Sequence, residues 1–316
     1  MATITADDRI ASVSLNDATR DPDAFADKLG HSFEEYGFAV IADHGIPEPL
    51  IHRAEEKARE FFALPDDVKR KYLIEGGGGQ RGYTPFGIET AKGATAFDLK
   101  EFWHVGRDLV PGHKFRDHMP DNVWPDEVPG FEETFEELYA SFEDAGLKIL
   151  KAIARFLKID EDYFADTVRD GNSVMRLLHY PPIQGEPGSN VRAGAHEDIN
   201  TITLLLGAEE AGLELLTKDG RWIPVAPNPG ELVVNIGDML QRLTNGVLRS
   251  TTHRVVNPPA ARRGFSRYSM PFFLHFRSDF LIEPVPGTVP AGEQQKWPAI
   301  TANEYLQERL REIKLT

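Results

Sequence analysis

Cysteine is absent from all 316 residues. Its absence excludes disulfides, thiolate zinc sites, iron–sulfur clusters and a cysteine nucleophile. Histidine and carboxylate are left as the strong side-chain metal ligands. No apolar stretch approaches membrane-spanning length, and the opening residues Met1 to Asp8 lack the basic-then-apolar plan of a secretory signal. The expected setting is cytoplasmic and reducing, which suits ferrous iron. Positive charge is also short: 35 Lys and Arg stand against 50 Asp and Glu, a net charge of −15. That balance argues against nucleic acid or an anionic membrane as the main partner, but leaves room for a small molecule in a locally basic cleft. With 41% hydrophobic and 27% charged residues, the mix is that of a globular chain long enough to bury a substantial core.

The first third mixes helix and strand. Phe25, Leu29, Phe33 and Tyr36 recur at three and four residues, as on a helical stripe, and Gly37 offers a stop. Phe38-Ala39-Val40-Ile41 reads as a buried strand. A second amphipathic helix runs through Ile51, Ala54, Ala58, Phe61 and Phe62, and Pro65 opens a short third. Gly76 to Gly79 read as a flexible surface loop; no Gly-Lys-Ser/Thr follows them, so they are not a phosphate loop. The longest helical pattern covers 131–157. From Val174 onward short β-rich runs succeed one another at 174–180, 201–206, 212–216, 221–225, 231–236, 250–256 and 266–275, separated by turn signals such as Asn245-Gly246. Such spacing implies an antiparallel sandwich, barrel or jelly roll. The tail returns to helix, with Thr301 and Glu304 placed as a capping box ahead of Tyr305, Leu306, Leu310 and Ile313.

Three residues carry the chemistry. His196 and Asp198 are two apart, and alternate side chains of an extended segment face one way. Both can therefore address one metal while Glu197 turns away. His253 lies 57 residues further on, in another predicted strand, where a sheet folded on itself can bring it across. Two imidazoles and a carboxylate cap one face of an ion and leave the other open, the facial arrangement of non-heme Fe(II) oxygenases. His-x-Asp alone is a weak signal, and a zinc site with three ligands and water stays open at this point. Asp43-His44 and the pair His275 and Asp279 are other neighbours of this kind, read as turn or surface residues. Beyond His253, Arg267 and Ser269 sit in Arg-Tyr-Ser-Met-Pro-Phe-Phe-Leu, where alternate positions should be buried. A buried arginine needs an anion, and a carboxylate meets a guanidinium bidentately. The set points to an iron enzyme using an oxo-acid co-substrate and dioxygen.

The chain also resembles the isopenicillin N synthase-like family of Fe(II)- and 2-oxoglutarate-dependent oxygenases. The strings that carry the resemblance are 36–46, Arg-Leu-Leu-His-Tyr-Pro-Pro (176–182), His-Glu-Asp (196–198), Asn-Ile-Gly-Asp (235–238), Leu-Thr-Asn-Gly (243–246), His-Arg-Val-Val-Asn-Pro (253–258) and Arg-Tyr-Ser-Met-Pro-Phe-Phe (267–273). The resemblance implies a mainly β fold with flanking helices: a double-stranded β-helix, or jelly roll, with an N-terminal α/β region. The expected divisions are 1–120 for the N-terminal helix and strand region, 121–285 for a support helix plus catalytic core, and 286–316 for a C-terminal helical segment. It implies Fe(II) on His196, Asp198 and His253, with O2 as oxidant. It further implies 2-oxoglutarate chelating through its keto acid end, its far carboxylate on Arg267 and Ser269, with Tyr180 at a position that also touches the co-substrate. Many plant relatives have Asn two residues before that tyrosine; this chain has Leu178. The implied reaction hydroxylates or otherwise oxidises a small organic molecule and releases succinate and CO2. Two alternatives are a 2-oxoglutarate-independent oxidase of the same fold and a non-catalytic ligand-binding jelly roll.

The substrate is not legible. Arg81-Gly82-Tyr83, Phe86, Phe102-Trp103-His104 and the C-terminal helix are candidate pocket walls. Most of these aromatics read as core packing, and Arg81 reads as an exposed arginine in preference to a grip on an acidic substrate.

Overall fold

The structure is a computed structural model that describes residues 10–88, 97–185, 190–206 and 212–312. Residues Met1 to Asp8 and Ile313 lie outside them.

The N-terminal region runs β1 (Ser12–Ser14), α1 (Asp17–Arg20), α2 (Pro22–Tyr36), β2 (Phe38–Ala42), α3 (Glu48–Phe62), α4 (Asp66–Lys69), β3 (Gly82–Thr84) and β4 (Glu101–Gly106). Its boundaries have local causes. The Asp21 carboxylate accepts from Ala24 N at 3.1 Å and Pro22 occupies the first turn of α2. Gly37, at φ 69°, closes that helix in the left-handed conformation and donates to Phe33 O. Next come α5 (Phe131–Phe156), α6 (Tyr163–Val168), β5 (Val174–Tyr180), β6 (Ala193–His196), β7 (Ile202–Leu206), β8 (Leu213–Leu216), β9 (Trp222–Pro224), β10 (Leu232–Ile236), α7 (Asp238–Leu243), β11 (His253–Val255), β12 (Arg267–Leu274), β13 (Leu281–Ile282), β14 (Ile300–Thr301) and α8 (Ala302–Glu312). The capping box before α8 is present. Glu304 N donates to Thr301 Oγ1, and Thr301 N donates back to the Glu304 carboxylate.

The strands form an eight-stranded sheet in the order β1-β2-β10-β7-β12-β5-β4-β3, a four-stranded sheet in the order β6-β11-β8-β9 and a two-stranded sheet of β13 and β14. β1 and β2 are parallel and the other pairings antiparallel. The large sheet has two different faces because side chains alternate. Met270, Phe272 and Leu274 join Leu204 and Leu206 against the helices, with Phe142 of α5 stacked on Phe272 at 5.2 Å. The opposite face turns toward the small sheet. Register places Tyr180 opposite Arg267, Leu178 opposite Ser269, Thr203 opposite Phe273, Asn235 opposite Thr203 and Phe102 opposite Leu178. One end of the inter-sheet space is filled by Phe38, Val40, Val233, Leu213, Leu215, Ile223 and Val255. The polar residues of that face belong to the rest of it.

Several expectations change in the structure. Phe102-Trp103-His104 lie in β4, and there the core reading holds: Trp103 is wholly buried against Phe61 and Phe131. Phe86 is exposed and meets the ring of Phe97. Asp43 makes a turn with φ 54°, but the His44 ring is buried, accepting from Ile46 N and bonding Gly230 O. His275, expected at a turn or surface, is buried where β12 ends and its N–H reaches Ser173 Oγ. Burial pushes it down to about 4, so it is neutral.

Arg81 is 2% exposed rather than on the surface. The space comes from Gly106: a Cβ there would lie 1.8 Å from the Arg81 Cζ. Gly106→Ala is therefore expected to cost about 1–3 kcal/mol by overpacking. Thermal melts should show the loss relieved in the Gly106→Ala/Arg81→Ala double variant. Strict additivity of the two changes would remove this account of the burial.

Candidate active site

Folding brings His196, Asp198 and His253 to one point. One ligand atom from each lies within 4.8 Å of the others, the only such group among the described residues. The two histidines face each other across the small sheet, since His253 of β11 pairs with His196 of β6. Their ring centres are 4.4 Å apart. They are thus neighbouring strand partners rather than residues brought across a folded sheet. Asp198 lies beyond the end of β6 and is held from the large sheet. Its Oδ2 accepts from Thr203 Oγ1 at 2.6 Å and from Asn235 Nδ2 at 2.8 Å. Its carbonyl accepts from Asp238 N at 2.7 Å. Glu197 turns away, accepting from Thr252 Oγ1.

The hydrogen bonds fix which atoms face inward. His196 Nδ1 lies 2.7 Å from Gly194 O, and His253 Nδ1 lies 3.0 Å from Thr251 O. A carbonyl only accepts, so each Nδ1 carries the proton and each Nε2 presents a lone pair. Both Nε2 atoms lie 3.8 Å from the remaining oxygen of the carboxylate, Asp198 Oδ1. Two metal bonds of about 2 Å from one ion span up to about 4 Å, so the carboxylate oxygen can share a single cation with either imidazole.

The electrostatics favour the ligand forms. Burial opposes charge on Asp198, but His253, His196 and the bonds from Asn235 and Thr203 outweigh it and hold the carboxyl below its ordinary value. Burial and the adjacent His253 ring push His196 down to about 4. The 39% exposure of its side chain moderates that shift. Metal ligands must be deprotonated, and these two groups are poised that way.

Arg267 is 3% exposed and Ser269 is 5% exposed. Both lie on the inward face of β12, with Arg267 Nη1 donating to Ser269 Oγ at 3.1 Å. The Arg267 Cζ sits 5.0 Å from the centre of the Tyr180 ring, its cross-strand partner. Burial lowers the guanidinium from its ordinary value, and a desolvated cation of this kind favours a bound anion. Leu178 packs with Phe102 and Tyr180. Near the same face, the glycine loop is tied to β4. Arg176 Nε donates to His104 Nε2 at 2.6 Å, so the protonated His104 Nδ1 donates to Gly79 O.

Sequence reasoning did not single out Thr203, Asn235 or Arg192. Asn235 stood in a recognised string without a role. The string now has a physical meaning: Asn235 holds the carboxylate, Gly237 gives the room to pass Asn200 O, and the Asp238 N–H fixes the Asp198 backbone. Tyr305 of α8 reaches Asp238 from behind. Asn235→Leu should weaken Mn(II) binding about 10–100-fold, the scale of losing such an outer bond; unchanged affinity in an anaerobic titration would separate Asn235 from the centre.

A facial two-histidine, one-carboxylate centre between the sheets of a jelly roll, beside a buried arginine and serine, defines a non-heme iron oxygenase. Residues 171–276 match the 2OG-Fe(II) oxygenase superfamily, and residues 10–127 match the region described as non-haem dioxygenase in morphine synthesis N-terminal. The chain belongs to the 2OG-Fe(II) oxygenase superfamily, in its isopenicillin N synthase-like family. It is 35% identical over 289 residues to the 2-oxoglutarate-Fe(II) type oxidoreductase hxnY of Emericella nidulans, covering 88% of this chain and 82% of that one. A crystal structure of a 2OG-Fe(II) oxygenase family protein from Caulobacter crescentus superposes with a TM-score of 0.90 at 58% identity, covering 96% of this chain and 99% of that one. A full-length Neurospora crassa protein, crystallised in complex with alpha-KG and thymine, superposes with a TM-score of 0.87 at 30% identity, covering 98% of each chain. The chain is accordingly a 2-oxoglutarate-dependent Fe(II) dioxygenase with a jelly-roll core. No helix among the described residues is long and apolar enough to cross a membrane.

Proposed function

We propose that His196, Asp198 and His253 ligate Fe(II), that Arg267 and Ser269 hold the far carboxylate of 2-oxoglutarate with Tyr180 beside it, and that the enzyme hydroxylates a small organic molecule in a cytoplasmic, reducing setting. The observation that carries this reading is the outward bonding of both Nδ1 atoms and of Asp198 Oδ2, which leaves three donor atoms aimed at one point. When bound, ferrous iron supplies dioxygen activation coupled to decarboxylation of the oxo acid. The chain's own residues supply the rest. Backbone carbonyls lock the imidazole tautomers, the large sheet fixes the carboxylate, and the Arg267 guanidinium orients the diacid along the inner face. The inter-sheet apolar cluster excludes water from one side.

Within the 1–120 division β1 to β4 complete the large sheet, the 121–285 division contains the three candidate ligands, and Tyr305 of the 286–316 division reaches Asp238. That division is part of the proposal. Small substrates are favoured because the thymine of the Neurospora complex is one. The test is a screen of small organic molecules with the Fe(II)-reconstituted protein, reading succinate. Substrate-dependent succinate release in step with product supports the reading. Product without succinate would assign a 2-oxoglutarate-independent oxidase instead.

A further inference from the structure

Arg192 belongs to none of the roles above, yet it is buried beside them. Its exposure is 0%. Nη2 donates to Phe265 O at 3.2 Å, while Nε and Nη1 are buried with no hydrogen-bond partner among the described residues. No carboxylate meets it among the described residues. Its Cζ lies 5.8 Å from the centre of the Tyr180 ring, the same ring that Arg267 approaches at 5.0 Å. Two buried guanidiniums thus adjoin one aromatic side chain. Desolvation, and then repulsion from Arg267, push Arg192 down to about 10.

An unpaired buried cation is a costly arrangement unless a ligand brings the anion. Carboxylate is the matching chemistry: its two oxygens offer about four acceptor sites, enough to take Ser269 and two guanidiniums together. We propose that Arg192 is a second binding residue for the far carboxylate of the oxo-acid co-substrate, so that this end of the diacid is held by two arginines adjoining Tyr180. The inference rests on the assignment of Arg267 and Ser269 given above. Its consequence is selectivity for diacids. A 2-oxo acid lacking the far carboxylate has nothing to offer either guanidinium, and leaves two like charges buried together.

The test uses the full chain loaded with Mn(II), without primary substrate and without oxygen. Calorimetric titration with 2-oxoglutarate and with 2-oxobutanoate compares the native protein with Arg192→Gln, Arg192→Lys and Arg267→Gln. Arg192→Gln should weaken 2-oxoglutarate about tenfold or more, the scale of a lost charge-assisted contact, and leave 2-oxobutanoate unchanged. Arg192→Lys should fall between, because lysine keeps the charge but not the planar fork; it also serves if the glutamine variant does not fold. Unchanged 2-oxoglutarate binding, or equal loss for both acids, overturns the proposal. If Arg267→Gln weakens 2-oxoglutarate but not 2-oxobutanoate in that case, the Arg267 assignment stands and only the role of Arg192 fails. If Arg267→Gln weakens neither acid, or both equally, the assignment beneath the proposal fails with it.

Discussion

His196→Ala should abolish stoichiometric ferrous binding while the apo protein keeps its fold. His196 ends β6, and 39% of its side chain is already open to solvent. Truncating it therefore removes little packing, and the apo stability should change by about 1 kcal/mol or less. Metal binding responds differently. The centre has three protein donors, and two cannot cap a face. The loss should exceed the about 10–100-fold typical of an outer-sphere change such as Asn235→Leu. Asp198→Ala gives a useful contrast. It also removes a proposed ligand, but it strands Thr203 Oγ1 and Asn235 Nδ2 in a buried site. An orphaned buried polar group costs about 1–3 kcal/mol, so this variant should lose both metal and thermal stability. Anaerobic titration with Fe(II) or Mn(II), alongside circular dichroism, separates the two effects. Near-native affinity in His196→Ala would end the ligand assignment.

The two variants differ for a reason that only partly shows in the sequence. His196, Asp198 and His253 were legible because two features coincided: a two-residue step, and a third histidine in a predicted strand. Their manner of convergence was not. A step of two suggests a continuous strand, yet β6 stops at His196 and Asp198 leaves for the large sheet. What directs it there is a pair of ordinary residues, Thr203 and Asn235, whose types carry no metal signal. Strands β5 and β7 to β12 showed in the sequence because their β-rich runs are bounded by turn signals. β4 was hidden because Glu101, His104 and Gly106 interrupt its apolar residues, so neither a continuous apolar run nor a clean alternation shows. Buried arginines were the systematic difficulty. Arginine is usually exposed, and only the contacting atoms overturn that prior: the missing Cβ of Gly106 for Arg81, and the Tyr180 ring for Arg192; Arg267 was legible as buried only because of the apolar alternation around it. The capping box at Thr301 and the stop at Gly37 were legible because both act through backbone within four residues.

Arg267→Ala should raise the 2-oxoglutarate requirement steeply. Hydrogen bonds to charged groups contribute about 1.5–3 kcal/mol, which at 1.4 kcal/mol per decade is about 10–150-fold in affinity. The contact does not involve the reacting end of the diacid, so it acts on the bound ground state and the transition state alike. KM for 2-oxoglutarate should therefore carry most of the change, with kcat at saturation much less affected. Arg267→Lys should restore only part. The guanidinium bonds Ser269 while lying over Tyr180, and a single ammonium cannot reproduce that planar fork. The truncation also has a second effect opposite in sign. It removes the like charge beside Arg192, the smaller of the two effects that push it down, so Arg192 meets the carboxylate without that repulsion. If both arginines serve the same carboxylate, the Arg192→Gln/Arg267→Ala double variant should lose more 2-oxoglutarate affinity than the single losses multiplied, because each single variant keeps one compensating charge. A KM indifferent to Arg267→Ala would remove Arg267 from the co-substrate pocket.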